Sequence, residues 1–223
     1  KAISQRIEAH DASADPADAS ELAALLALPG LPELEALQTP VDPVALFEAV
    51  QAWRRVLGQR LRPVLLALLA QTRGDWPKAW PEGQGGRQLT ALAWRWLVAS
   101  KDAEACQEAC SAVSGPSMTL ARAALRALLP VDVLEREQAL GLFYERWKDK
   151  PVILDAWFGL EASTPRRDGL QRVSQLLEHP RFDPLAPNSL RAVLGGLTAN
   201  VPVFHAVDGS GYRFMAEQIA AVD

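Results

Sequence analysis

The sequence predicts an all-α fold: an array of about ten antiparallel helices stacked in pairs as an α-solenoid of the armadillo or HEAT kind, with little or no sheet. Three observations predict it. Apolar residues recur at spacings of three and four almost throughout the chain, the period that gathers them on one face of a helix. Proline, aspartate, asparagine and serine stand where helices should stop and restart, each with a mechanism for doing so. No stretch of strand length alternates apolar and polar residues with β-branched enrichment, as a half-buried strand does. A fixed-period sequence repeat is not visible, which argues against a strictly regular solenoid.

Residues 1–40 read as a lead-in segment with one short helix, near 19–28, stopped at Pro29-Gly30. Residues 41–223 read as the helical domain. Its first helix starts at Asp42-Pro43, a capping side chain followed by a proline whose missing N–H costs nothing in the first turn. It carries the stripe Trp53, Val56, Leu57, Leu61, Val64, Leu65 and Leu68, expected to be its buried face. Pro63 should kink or break this helix close to Arg62. The tryptophan- and glycine-rich stretch 74–86 reads as a loop and a candidate sub-boundary.

Helices follow near 86–99, 103–113 and 117–129. Asp132 and Glu135 have capping-box spacing and open a helix with Leu140, Phe143 and Trp147 on one side. Lys150-Pro151 and Thr164-Pro165 end one helix and begin the next, because the residue before proline avoids the helical region. They frame helices near 152–162 and 168–178. Asn188 and Ser210 are the expected N-caps of the last two, near 189–197 and 211–222.

Composition removes several functional classes. The chain of 223 residues is 49% hydrophobic with a net charge of −4, enough apolar content for a core and no electrostatic case for binding nucleic acid. Its apolar runs, such as 64–70, are far shorter than the roughly 20 residues that cross a bilayer, so no membrane partner is expected. The charged start, Lys1 to His10, has no apolar core of a secretory signal. Without an initiator methionine, the chain is expected to be part of a longer one. Cys106 and Cys110, one helical turn apart, read as small buried residues, and reduced thiols suit a cytoplasmic protein.

The search for reactive groups returns little. His10, His179 and His205 are scattered, without the one-turn spacing that aims two imidazoles at one metal ion. Ser210 in DGSGY lacks the glycine spacing of a nucleophile elbow. No phosphate-binding glycine loop is present. Of seven tryptophans, those on apolar stripes read as core, and Trp76 and Trp80 in the loop are the exceptions.

Four runs in the second half are distinctive in their order: AALRALL at 123–129, FYERWKDKPVILDAWFGLEASTP at 143–165, LLEHPRFDPLAPNSLRAVLGG at 176–196 and FHAVDGSGYRFMAEQI at 204–219. Together they resemble the C-terminal helical domain of the bacterial aminopeptidase N family. Weaker likeness reaches back through 86–100 to the helix at 42–57, so nearly the whole chain is covered. The motifs W-x₉-W-F (Trp147 to Phe158) and F-H-x₃-G-S-G-Y (Phe204 to Tyr212) carry most of the specificity.

The resemblance implies a zinc-dependent aminopeptidase of the alanyl type, removing N-terminal amino acids from peptides, as the parent protein. In that family zinc is held by H-E-x-x-H and a later glutamate, and the substrate amino terminus by a G-x-M-E-N loop. Neither motif occurs here. The chain is therefore implied to be a non-catalytic domain that encloses the active-site cavity and gates access to it. Zinc would reside in the catalytic domain, and the partners would be the catalytic and N-terminal domains of the same polypeptide together with peptide substrates. The family's helices continue past Asp223, so an array cut there is expected to expose apolar faces and to self-associate. Arg191 matches an arginine expected to face the substrate channel and attract a peptide carboxylate or carbonyl. The alternative for Arg191 is an ordinary helix arginine paired with a neighbouring acid. His205 is expected to shape the turn before Ser210. An alternative for the whole chain is a stand-alone α-solenoid scaffold that binds partner proteins.

Overall fold

The computed structural model describes residues 2–10 and 16–221, with the side chain of Pro16 excepted. Among the described residues there are fourteen α-helices, one 3-10 turn and no strand. The helices are α1 (Ala2–Glu8), α2 (Pro16–Leu25), α3 (Leu31–Glu35), α4 (Pro43–Arg60), α5 (Arg62–Thr72), α6 (Gln84–Ala99) and α7 (Ala103–Ala112). They continue as α8 (Met118–Leu128), α9 (Leu134–Trp147), α10 (Pro151–Ala162), α11 (Gly169–Leu177), α12 (Pro187–Ala199), α13 (Val201–Phe204) and α14 (Ser210–Ala220).

The all-α class stands, with four helices more than expected. Three of them, α1, α3 and α13, have 7, 5 and 4 residues, too few to show a helical period in sequence. The fourth arises where the long helix from residue 43 divides into α4 and α5 at Leu61, because Pro63 has no N–H to donate and sits in the first turn of α5. The lead-in thus contains three helices rather than one. Residues 11–15 of it, and residue 222 of the last expected helix, lie outside the described residues.

Several expected caps are replaced. Asp42 accepts the N–H of Ala45 at 3.0 Å, as its spacing suggested. Asp132 forms no capping box; it pairs with Arg136 at 2.9 Å, and α9 begins two residues later. Pro187 starts α12 one residue before Asn188, which falls inside the first turn. Ser210 is the first helical residue of α14, not its cap. There Gly209 takes the left-handed conformation at φ 70°, and Asp208 accepts the N–H of Ser210 at 2.9 Å.

The chain forms two compact units, residues 1–30 with 50–139 and residues 31–49 with 140–223. The stretch 74–86 lies within the first unit. Its first two residues belong to a 3-10 turn at Arg73–Asp75, and its last residues already belong to α6. Arg87 ties it down by donating to the carbonyls of Asp75 at 3.2 Å and Lys78 at 2.6 Å.

In the first unit α6 is the central element, packed by α2, α5, α7 and α8. Trp94 and Trp96 are wholly buried in it. A buried indole must place its N–H, and Trp94 donates to Glu108 at 3.0 Å, whose other oxygen receives Arg73. Trp76 stands edge-on to Trp94 and donates to Thr90 at 3.1 Å, while Thr90 and Thr72 share a hydroxyl hydrogen bond at 2.8 Å. Trp76 is thus half-buried against the core, whereas Trp80 is exposed. On the stripe of α4 and α5, Leu57, Leu61, Leu65 and Leu68 are buried, but Trp53 and Val56 are 61% and 41% exposed. Within this unit α4 buries Val50, Leu57 and Gly58, and Trp53 and Val56 fall between them on the side left open.

The end of α6 passes straight into α7. Asp102 donates its N–H to the carbonyl of Leu97 and Lys101 to that of Val98, the pair of bonds that closes a Schellman motif. Lys101 therefore takes φ 60°, where glycine is usual. Asp102 then caps α7 by accepting from Ala105 at 3.0 Å and pairs with Arg62 at 2.6 Å.

The second unit is built on the crossing of α10 and α12. The helices approach so closely that a Cβ on Gly196 would lie 2.7 Å from the carbonyl oxygen of Gly159. At the ends of these helices the buried Asn200 donates to the carbonyls of Ala162 at 3.0 Å and Thr164 at 2.9 Å. The buried carboxylate of Glu161 receives Arg166 and Arg172 at 3.0 and 3.1 Å, so its charge is compensated on site.

Two outcomes follow from these ties. Asn200→Ala removes the donor from two buried carbonyls and is expected to lower unfolding stability by about 2–4 kcal/mol, read as a lower urea midpoint. Lys101→Gly relieves the left-handed backbone and should raise stability by about 0.5–1 kcal/mol. A lower midpoint for the glycine variant would contradict that account of the α6–α7 corner.

Candidate functional site

Arg191 lies on the outer face of α12, the side away from α10. Its helical neighbours on that face, Asn188, Gly195 and Thr198, are also exposed, and the space around Gly195 is open to 4 Å. The opposite face carries Ser189, Val193, Gly196 and Leu197, all buried. Ser189 fixes the helix by donating to Asp155 of α10 at 2.6 Å. Arg191 makes no hydrogen bond or ion pair among the described residues, so the neighbouring acid of the alternative reading is not present. What the arrangement offers is a hydrated cation on a rigid helix, flanked by small and polar groups that leave room for a ligand backbone.

The histidines do not converge. His179 sits among aromatic rings: Tyr144, Trp157, Phe158 and Phe182 form the cluster, with the His179 ring edge-on to Tyr144 at 5.7 Å and to Phe158 at 5.3 Å. Its Nε2 meets the Tyr144 hydroxyl at 3.3 Å, and its Nδ1 accepts the N–H of Arg181 at 3.1 Å. Nδ1 is thereby an acceptor, which the neutral ring supplies. Burial, then Arg172 and Arg181, hold the imidazole below its usual titration range. His205 faces Tyr212, its Nδ1 2.5 Å from the phenolic oxygen, and both pack on Phe204. That pairing joins the two ends of the FHAVDGSGY run across the turn. The indole N–H of Trp157 donates to the Leu140 carbonyl at 3.1 Å, so the Trp157-Phe158 end of the W-x₉-W-F motif is core structure, while Trp147 is half-buried.

Cys106 and Cys110 are free and buried. Burial, then Glu135 and Asp102, push the Cys106 thiol up to about 11, which keeps it protonated and unreactive at neutral pH. Among the described residues no group of three His, Cys, Asp or Glu side chains could hold a metal ion. The described residues therefore do not fit a catalytic zinc, which needs three such ligands and an open position. No helix among them is long and apolar enough to cross a membrane.

Comparison with known proteins agrees along the length of the chain. A family model described as a domain of unknown function (DUF3458_C), ARM repeats, matches residues 2–223, in keeping with the expected array of stacked helices. Aminopeptidase N of Caulobacter vibrioides is 42% identical over 89 residues, 40% of this chain and 10% of that protein. Aminopeptidase N of Escherichia coli K12 is 30% identical over 184 residues, 80% of this chain and 21% of that protein. The crystal structure of Legionella pneumophila aminopeptidase A, in complex with aspartic acid, superposes with a TM-score of 0.78 at 26% identity, covering 97% of this chain and 29% of the other. This chain thus spans between a tenth and a fifth of the length of these two aminopeptidase N relatives.

Because the His179 pKa is lowered on folding, the unfolded chain binds the proton more readily, and stability is lost as pH falls through the ordinary histidine value of roughly 6.5. Unfolding monitored between about pH 7.5 and 5.5 should show the wild type losing stability toward acid and His179→Phe losing less. Parallel pH profiles would remove His179 as the cause.

Proposed function

Because the chain belongs to this ARM-repeat family and is a C-terminal domain of the aminopeptidase N type, we propose that it encloses the active-site cavity of a zinc-dependent aminopeptidase and gates the entry of peptides. The observation that carries this reading is that the likeness to aminopeptidases runs through nearly the whole chain, while the residues described hold no zinc-binding group of their own. The chemistry of peptide-bond hydrolysis then belongs to a catalytic domain elsewhere in the same polypeptide, where zinc would polarise the scissile carbonyl and activate water. The helical domain contributes walls, exclusion of bulk water and selection by size.

Within this reading Arg191 faces the cavity and attracts the carboxylate or a carbonyl of the substrate. Its support is its position: an exposed guanidinium on a buried-backed helix, with no acid to neutralise it. A guanidinium presents a rigid fork of donors suited to a carboxylate.

The test uses the whole aminopeptidase. Arg191→Gln should raise KM about 3- to 10-fold for tripeptides with a free C-terminal carboxylate and leave kcat near wild type, the pattern of lost binding without lost chemistry. Alanyl anilide, which has no carboxylate, should be cleaved as before. An equal effect on both substrates, or none on either, would rule out the Arg191 role. Turnover of the anilide by the isolated, metal-free chain would refute the domain assignment itself.

A further inference from the structure

The first unit holds a cavity of about 310 Å³ whose charged lining has one sign. Arg54 of α4 and Arg95 of α6 line it with Ser20 and Gln88, and no carboxylate among the described residues does so. The rest of the wall is apolar, including Ala23 and Leu26 on one side and Leu92 on the other. Neither guanidinium makes a hydrogen bond or ion pair among the described residues, and the Nε of Arg54 is shut off from solvent with no partner. Burial and then Arg95 lower the Arg54 pKa to about 10, while burial and then Arg126 lower that of Arg95. Both remain cations at neutral pH.

The fold holds these like charges together. Gly58 is one turn after Arg54, and a Cβ there would lie 2.0 Å from the Trp96 carbonyl oxygen, so α4 and α6 touch by backbone beside the two arginines. That contact restrains the pair from separating by movement of either helix. Two like charges on one cavity, Arg54 half-buried and Arg95 exposed, repel each other and lack counter-charge, a cost that an oxyanion between them removes. Arginine forks match a carboxylate by two parallel N–H donors each. The alanine and leucine wall adds a surface for a short hydrocarbon, and the volume lies at the small end of ligand cavities.

We propose that the cavity between Arg54 and Arg95 is a binding site for a short-chain carboxylate, its oxygens held by the two guanidinium groups and its tail laid against Ala23, Leu26 and Leu92. Gln88 and Ser20 supply further donors at the rim. The site is separate in sequence and in packing unit from Arg191 and does not depend on the channel role given to that residue.

Calorimetric titration of the protein with sodium butyrate, and separately with sodium phosphate, both against sodium chloride at matched ionic strength, tests the assignment. Butyrate should bind saturably at one site and phosphate at least several-fold more weakly. Arg54→Gln and Arg95→Gln should each weaken butyrate about tenfold or more, the loss that goes with one charge-assisted hydrogen bond. Circular dichroism checks that the variants fold. In the unaltered protein, butyrate should protect Arg54 and Arg95 from phenylglyoxal, read by peptide mass mapping. The proposal is overturned by the absence of saturable heat, by phosphate binding as tightly as butyrate, by unchanged affinity in folded variants, or by unprotected arginines.

Discussion

Helix α6 buries eleven of its sixteen residues, where a surface helix buries one stripe. This near-complete burial is the constraint on which the first unit depends. A helix covered on several sides requires a partner for each face, and α2, α5, α7 and α8 provide them. It also forces the buried polar groups packed on α6 to find bonds inside the protein. Thr90 answers to Thr72, Trp76 and the Gly86 carbonyl, and Trp94 answers to Glu108. Even the exit from the helix is confined, which is why a lysine occupies a left-handed corner at 101 and the next residue must serve as both closure and cap. Arg95 is one of the few α6 residues left outside that enclosure, and it emerges beside Arg54.

The second unit uses a different device. Where α10 and α12 cross, glycines at 159 and 196 bring the backbones together, and Asn200 and Glu161 supply the polar ties at the ends. Close backbone packing makes α12 a firm mount for whatever its outer face presents. The substrate-channel role proposed for Arg191 requires such a mount, because an arginine on a mobile helix would give up in ordering entropy what it gained in contact. The neighbouring His179 cluster is likewise packed by rings on several sides, and its role is structural.

Much of this was legible in the residues. The all-α class followed from the period of the apolar positions, and most helix limits followed from prolines and from side chains such as Asp42 that bond the local backbone. Such signals are local, acting over three or four residues. Helices of 4 to 7 residues escaped notice because they are shorter than the pattern that would announce them. Capping was misread at Asn188 and Ser210 because proline and a left-handed glycine one residue earlier had already set the start. Trp53 was expected in the core, since its spacing from Leu57 is right; what spacing cannot convey is which side of α4 its packing partners cover, and they reach Val50 and Leu57 but not Trp53.

The candidate sites divide along the same line. Resemblance in the NSLRAVLGG run singled out Arg191, and the sequence placed it on a helix. That it has no acid beside it was decided by the packing of α12 on α10, through residues such as Ser189 and Gly196. Arg54 and Arg95 gave no signal at all, being 41 positions apart in unrelated helices. The sequence by itself determined that this chain is helical, where most of its helices begin and end, and that it carries no H-E-x-x-H motif, because these are properties of near neighbours. Only the tertiary structure decided which helix would be enclosed and which two arginines would share a cavity. Those depend on contacts between residues far apart in the chain, and a single missing Cβ at Gly58 helps to set them.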